Sequence, residues 1–573
     1  MLKALAPAAL AAFLLAAGPA HAQRYGDLEF PRDEHQHVTG WDWWWGAAHI
    51  VTRSGHRYTL GYDFDSYGGV AGASEELFPL DGPYKGRTVN SMDGLESWGH
   101  PAQTPGRFAY RESAYVPGVS ETLDWRTLDT LDGGRQIASL QRTSLDRESY
   151  DLRLDQAQAR VHPTGELVKL DADLHADMKS PPLLAGGKGT WWYGLPEHLG
   201  GYPSRSFQYM QGARRLTGAI ALQQPDGSIA RESLDPQRSR MVMIHEYDAS
   251  PEDLFAGLAV AESSQVHPRY APYYQGGMPW ELEFIDLDNG AQLMLAMLAF
   301  HDSKDGTAKP VTAPGMPTYE VDATLRLPDG RSVQLPDLHV EHLSYRRLVG
   351  IVPTFAVYVN GVWTQSWDFR VSYAGGHGVP PFDLGLVPQI GKDEPQLDDK
   401  GQGLTQRVPI EARGSYGGCP LHGFGYSELI INWYGREHED PWYTGGSLPE
   451  VPTRCGDPVP PPPSGAFGDL SPPPDMRAAD VGQDMGCSEE SPPATATCSF
   501  DATMDGAVLG MADEPGDWTV TITRSTERRP IVIKGFGGSQ LYACGVVRPG
   551  DHVEVTVQPG AAAGAGNPLG TCF

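Results

Sequence analysis

The residues of this chain with most to offer chemically are polar side chains set singly into aromatic stretches. Asp42 directly precedes Trp43-Trp44-Trp45, His49 follows four residues after the last tryptophan, His245-Glu246-Tyr247 forms a second such group, and Glu428 stands two residues beyond Tyr426. A carboxyl or imidazole among rings loses hydration, and burial lifts a carboxyl's pKa toward that of a useful general acid. An acid of that kind can protonate an alkene or an enol while ring faces stabilise the resulting cation. Glu246, His245 and Asp42 are therefore the candidate catalytic residues. Trp43, Trp45, His49, Tyr247, Trp280, Tyr426 and Glu428 are the candidate ligand-binding residues. The competing reading of each is a satisfied polar group or a packed ring in an ordinary core.

Other chemistries lack their signatures. There is no Gly-x-Ser-x-Gly elbow, phosphate loop or dinucleotide fingerprint, and His245-Glu246-Tyr247-Asp248-Ala249 departs from His-Glu-x-x-His at its last position. No cofactor is expected. His35 with His37, and His339 with Glu341 and His342, could be imagined as metal ligands. Strand alternation turns His342 away from the other two, so no metal site is assigned.

The elements that must hold these residues read as strands. Period-two alternation puts Trp43, Trp45, Ala47, His49 and Val51 on one face and Trp44, Gly46, Ala48 and Ile50 on the other. Arg53-Ser54-Gly55 turns the chain, and Tyr58, Leu60, Tyr62 and Phe64 line one face of the return strand. Residues 65–135 read as long loops on a β scaffold, and alternation resumes at 136–177. Trp191-Trp192-Tyr193 opens a second aromatic cluster that runs on to 207–222. Ser250-Pro251-Glu252-Asp253 predicts the start of a short helix. Asp288-Asn289-Gly290 and Pro328-Asp329-Gly330 each predict a hairpin, and further strands fit 355–359, 367–373 and 426–433. Hairpins with little helix, together with 68 glycines and 49 prolines, indicate an all-β fold.

At 573 residues the chain is too long for one core. Residues 1–22 read as a signal peptide ending in Ala20-His21-Ala22. This implies export, to a bacterial periplasm or the medium. No later stretch approaches the roughly 20 apolar residues of a transmembrane helix, so no integral membrane segment is expected. A net charge of -28 argues against nucleic acid as a partner. All six cysteines lie between 419 and 572, as expected for disulfides in an exported chain; Cys419 with Cys455 is the favoured pair, and the other pairings stay open. Proline runs at 458–463 and 472–474 mark a linker over 456–485. The resulting division is 23–240, 241–455, the linker, and a small disulfide-containing β module at 486–573.

Three segments taken together resemble a known family. They are Asp42-Trp43-Trp44-Trp45 with His49-Ile50; Trp280-Glu281 with Leu287-Asp288-Asn289-Gly290; and Gly414, Gly418 and Pro420 ahead of Gly423-Phe424-Gly425-Tyr426-Ser427-Glu428-Leu429. They are similar to the Glu-Trp-Trp-Tyr…His-Leu opening, the Trp-Asp…Leu-Asp-Asn/Asp-Gly hairpin and the closing Gly-x-Gly-Tyr-x-Glu-Leu strand of the lipocalin-like carotenoid 1,2-hydratase (hydroxyneurosporene synthase) and AttH group. Over about 30–435 this resemblance implies two successive lipocalin-like (calycin) β-barrel domains with a hydrophobic pocket between or within them. Relatives hydrate carotenoids or isoflavonoids, or fold polyketide chains in cyclisations, and many exported members are labelled secreted hydrolases. The chain departs from the family at Ile244-His245-Glu246-Tyr247, where the family's Asp-His-x-Trp carries the acid proposed for hydration. Arg407 also stands where a Trp-Glu-Gly glutamate would fall.

The leading expectation is an exported protein that binds an apolar isoprenoid- or polyketide-like molecule and hydrates or cyclises it. Glu246 or Asp42 would replace the missing acid, with His245 orienting it. Its rivals are a non-catalytic carrier of lipophilic ligands and a surface or adhesion protein that makes cell-surface or glycan contact through its last module.

Overall fold

The computed structural model describes residues 23–37, 41–67, 70–91, 108–111, 115–116, 121–144, 149–162, 166–178, 181–195, 202–213, 215–248, 280–299, 319–335, 337–353, 358–390, 405–430, 444–456, 486–488, 496–501, 506–511, 516–523, 530–537, 541–547 and 552–559. The expected signal peptide, the helix near 250–258 and nearly all of the proline linker lie outside these residues.

The fold is all-β. Trp41–Val51 and Arg57–Tyr67 form the expected hairpin, with Trp44 opposite Phe64 and Gly46 opposite Tyr62. Val70–Pro79 extends it on one side. On the other side lies Arg240–Asp248, which pairs with Trp41–Val51 and with Tyr202–Ala213. The expected domain break at 240/241 therefore falls within the first sheet. Val70–Pro79 and Asp124–Asp129 also replace part of the loop expected over 65–135: polar residues fall on their buried faces, Glu75 between Ala73 and Leu77 and Thr127 beside Trp125, and break the apolar alternation.

Among the described residues this first sheet has 15 strands and curls around one core. The two faces of its opening strand part as alternation predicts. Trp44, Ala48 and Ile50 enter the interior with Leu60, Phe64, Trp125, Leu152 and Met243. Gly46 has a positive φ of 155°, and a Cβ there would stand 2.0 Å from the Val242 carbonyl oxygen, so the strand accepts only glycine at this point.

The second sheet runs from Trp280 to Ile430, and its core gathers Ile285, Leu295, Leu325, Val340, Phe369, Leu384 and Ile410. The expected hairpin is present, with Trp280–Leu287 and Gln292–Ala299 joined through Gly290 at φ 97°. In the first sheet the Thr52–Leu234 bridge, with the Arg53 N–H donating to the Ser233 carbonyl, brings the Ile229–Ser233 strand back to the end of the opening strand; the second is a curled sheet. Cys419 and Cys455 form the favoured disulfide, tying segment 444–456 to the end of the Cys419–Ile430 strand. Beyond the linker, a five-stranded sheet forms, while Gly506–Met511 and Leu541–Val547 join the edge of the second sheet through His339–Pro353. No helix among the described residues is long and apolar enough to cross a membrane.

The two curled sheets meet back to back. Trp43, Trp45 and Ala47, with Val242 and Ile244, pack against Leu282, Phe284, Phe424 and Tyr426. Trp45 meets Phe284 edge-on at 5.0 Å, and His49 lies 4.9 Å from Phe424. The Tyr426 hydroxyl occupies the space a side chain at Gly61 would fill, 2.1 Å from that Cβ position. The triple tryptophan therefore serves two cores: Trp44 fills the first sheet, while its neighbours join the two sheets together.

Candidate functional site

Two polar clusters form inside the first sheet, near the Asp42 end of its opening strand. Asp42 is fully buried on the Trp44 face. Its Oδ1 lies 2.8 Å from His37 Nδ1 and 3.2 Å from His245 Nε2, and its Oδ2 accepts the His37 backbone N–H at 2.8 Å. One carboxylate thus holds two imidazoles. The rings are fixed by aromatic contact: His245 stacks on Trp44 at 4.9 Å and meets Tyr209 edge-on, and His37 stacks on Tyr247 at 3.8 Å. Asp33 lies 3.9 Å from His37 Nε2. Burial works against a charge on His37, but hydrogen bonds to Asp33 and Asp42 and their charges outweigh it and raise its pKa to about 9. Burial likewise opposes the charge of Asp33, yet hydrogen bonds from His37, Arg32 and the Glu29 backbone bring it down to about 2. His37 is the member of the trio that reaches the surface, its side chain 20% exposed against 2% for His245 and none for Asp42.

The second cluster centres on Glu34. Arg142 donates to it from 2.5 Å and the Tyr150 hydroxyl donates to its other oxygen; that hydroxyl also lies 3.2 Å from Gln211 Oε1. Burial and the Glu34 charge push the Tyr150 phenol well above its usual range, so it remains a proton donor. Trp44 Nε1 donates to the Glu34 backbone carbonyl at 2.8 Å, fastening the 31–37 segment to the opening strand.

The sequence candidates divide between two places. Asp42, His245 and Tyr247 come together inside the sheet. Glu246, one residue on, necessarily faces the other way; it accepts a hydrogen bond from Gln208 Nε2 at 3.0 Å and stands opposite Trp43. It is therefore on the side of the strand away from His245. Trp43, Trp45, His49 and Tyr426 lie between the two sheets, and Glu428, fully buried, shares the face of Phe424 and Tyr426. Burial, and then the charges of Arg240, Arg57 and Arg238, lower His49 to about 4, which keeps it a neutral packing group. Trp280 begins a strand, and its side chain lies outside the described residues. Ile244 packs between the sheets too, so a carboxylate there would share the face of Glu246.

Sequence reasoning missed Glu34, Arg142 and Tyr150, and it weighed His37 only as a metal ligand. The density of Asp33-Glu34-His35-Gln36-His37 just ahead of the tryptophans was the available signal. Of the second imagined metal group, His339 and Glu341 do share a face opposite to His342; Glu341 pairs with Arg370 at 3.5 Å and His342 with Glu281 at 3.0 Å.

No family model matches this chain, and no curated protein matches it. Among solved structures, the kievitone hydratase of Nectria haematococca aligns over 73% of this chain and 98% of its own, at 12% identity and a TM-score of 0.40. A protein described as an AttH from Nitrosomonas europaea covers 72% of this chain and 98% of its own, at 15% identity and 0.37. CghA covers 72% and 96%, at 12% identity and 0.37. The functional reading below rests on the geometry of the site itself.

Proposed function

We propose that the first curled sheet binds an apolar isoprenoid- or polyketide-like molecule against Trp44, Tyr209 and Tyr247, and that His37 transfers a proton to it. The observation that carries this reading is the pair of imidazoles on one buried carboxylate, with only His37 reaching the surface. A group with pKa about 9 is too weak an acid to protonate an isolated alkene, but it is well matched to the carbon of an enolate. The reaction class is then proton transfer beside a carbonyl, as in conjugate hydration of an enone. Water adds to the β-carbon and loses a proton to solvent; the enolate so formed takes a proton from the His37 imidazolium at its α-carbon, and solvent reprotonates His37. Asp42 balances the imidazolium charge and fixes the ring. His245, held by Trp44, keeps Asp42 in place.

The carrier reading keeps one specific support: Glu246 faces away, which leaves Asp42, engaged by both histidines, as the carboxyl beside His245. Incubating the full chain with a small isoprenoid enone in deuterium oxide separates the two. Enzyme-dependent deuterium uptake at the α-carbon, followed by NMR and reduced at least 100-fold in His37→Gln, is the expected result. Stoichiometric binding without exchange would leave the protein a carrier. Export remains part of the proposal, supported by the leader-like N-terminus and the Cys419–Cys455 disulfide.

A further inference from the structure

The second sheet holds a polar cluster of its own that plays no part in the site above. Glu281 and Glu283 continue the inward face of Ile285 and Leu287, at the end of the sheet away from the 288–291 turn. The turns 288–291, 327–331 and 417–418 close the opposite end tightly. His342 Nε2 lies 3.0 Å from Glu281 Oε2 and 3.4 Å from Met297 Sδ, with Phe369 edge-on to the imidazole at 5.0 Å.

Glu283 is the unusual member. Its side chain is fully buried, Ser427 Oγ donates to its Oε1 at 2.7 Å, and its Oε2 has no hydrogen-bond partner among the described residues. Burial, reinforced by the neighbouring Glu281 charge, pushes its pKa well above the usual carboxylate range. That shift favours the protonated carboxyl, and with Ser427 serving Oε1, Oε2 is the oxygen left to donate, with no acceptor among the described residues. Around it are Leu295 across one strand pair and Val408 beyond Ser427 on the other. A buried donor with no acceptor among the described residues calls for one from a bound molecule.

We infer that the interior of the second sheet, at its Glu281 end, is a separate binding site for a neutral apolar molecule carrying a carbonyl oxygen, which accepts the Glu283 Oε2 hydrogen bond. Glu281 repels carboxylate or phosphate ligands, and Met297 and Phe369 favour a hydrocarbon body. This site is independent of the His37 site and stands or falls without it.

The test is calorimetric titration of the full-length protein with β-ionone, a neutral isoprenoid ketone. The expected result is a site whose affinity falls at least tenfold in Glu283→Met and stays within threefold of wild type in Glu283→Gln, because the amide keeps a neutral donor at the same place. His37→Gln should leave this site unchanged. In infrared difference spectra, a protonated-carboxyl stretch that is missing from Glu283→Gln should shift when β-ionone is added; this measurement does not require the methionine variant to fold. The inference is overturned if no β-ionone site depends on Glu283, if the glutamine variant loses binding as the methionine variant does, or if that carboxyl stretch is indifferent to the ligand.

Discussion

The interiors of the two curled sheets solve the same problem in opposite ways. In the first, two buried acids are ringed by donors: Arg142 and Tyr150 on Glu34, His37 and His245 on Asp42. In the second, Glu283 has one serine hydroxyl and no ion pair among the described residues, and burial shifts it toward the neutral form. A paired buried charge is costly to disturb, whereas a neutral buried acid is cheap to replace but leaves a donor seeking an acceptor. The proposed proton transfer draws on the first arrangement, and the proposed carbonyl site on the second.

The largest expected effect follows from removing one half of the charged arrangement. Arg142→Met strands Glu34 in a fully buried position, and breaking a buried ion pair in this way costs about 3–5 kcal/mol. Urea unfolding of the first sheet should show that loss. Adding Glu34→Met to Arg142→Met should recover much of it, since two apolar side chains replace the pair. If the double variant is no more stable than the single one, the pair is holding the 31–37 segment in place by geometry and not by charge.

The next effect depends on pH. The folded-state pKa of His37 lies near 9, above its unfolded value of 6.5, so its contribution is complete below pH 6.5 and drains away as pH rises through 9. Asp33 runs the other way: depressed to about 2 from 3.8, its contribution is present above pH 3.8 and is lost on acidification through 2. Stability should fall between pH 6.5 and 9 by on the order of 1–3 kcal/mol. His37→Gln should flatten that limb of the curve while leaving the acid limb's position largely to Asp33 and its neighbours. An unchanged slope in the variant would place the titration elsewhere.

Much of this architecture was legible in the sequence. The Trp43-Trp44-Trp45 alternation correctly separated the two faces, and Asn289-Gly290 and Cys419 with Cys455 marked a hairpin and a disulfide. What alternation could not show was which face met a second sheet. Trp43 and Trp45 read equally well as cavity wall and as packing surface, because an apolar strand face looks the same whether a ligand or a protein covers it. Glu246 illustrates the sharper limit. It is adjacent to His245 in sequence, yet a strand sends neighbours to opposite sides, and that rule alone should have separated them. Glu34, Arg142 and Tyr150 are far apart in the chain and meet only through the curl of the sheet, which no local pattern encodes.

The smallest expected effect bears most directly on the contrast between the interiors. Glu283 keeps its proton when folded but loses it above pH 4.5 when unfolded, so it drains stability as pH climbs past 4.5. Glu283→Gln removes that drain while keeping an acceptor for Ser427. It should leave the melting temperature at pH 4.0 unchanged and raise it at pH 7.5 by on the order of 2 °C, the scale of ~1 kcal/mol in a domain of this size. The sign of the change decides the matter. A glutamine variant that melts lower at pH 7.5 would mean that Glu283 is charged and paired after all, and the second interior would then follow the rule of the first.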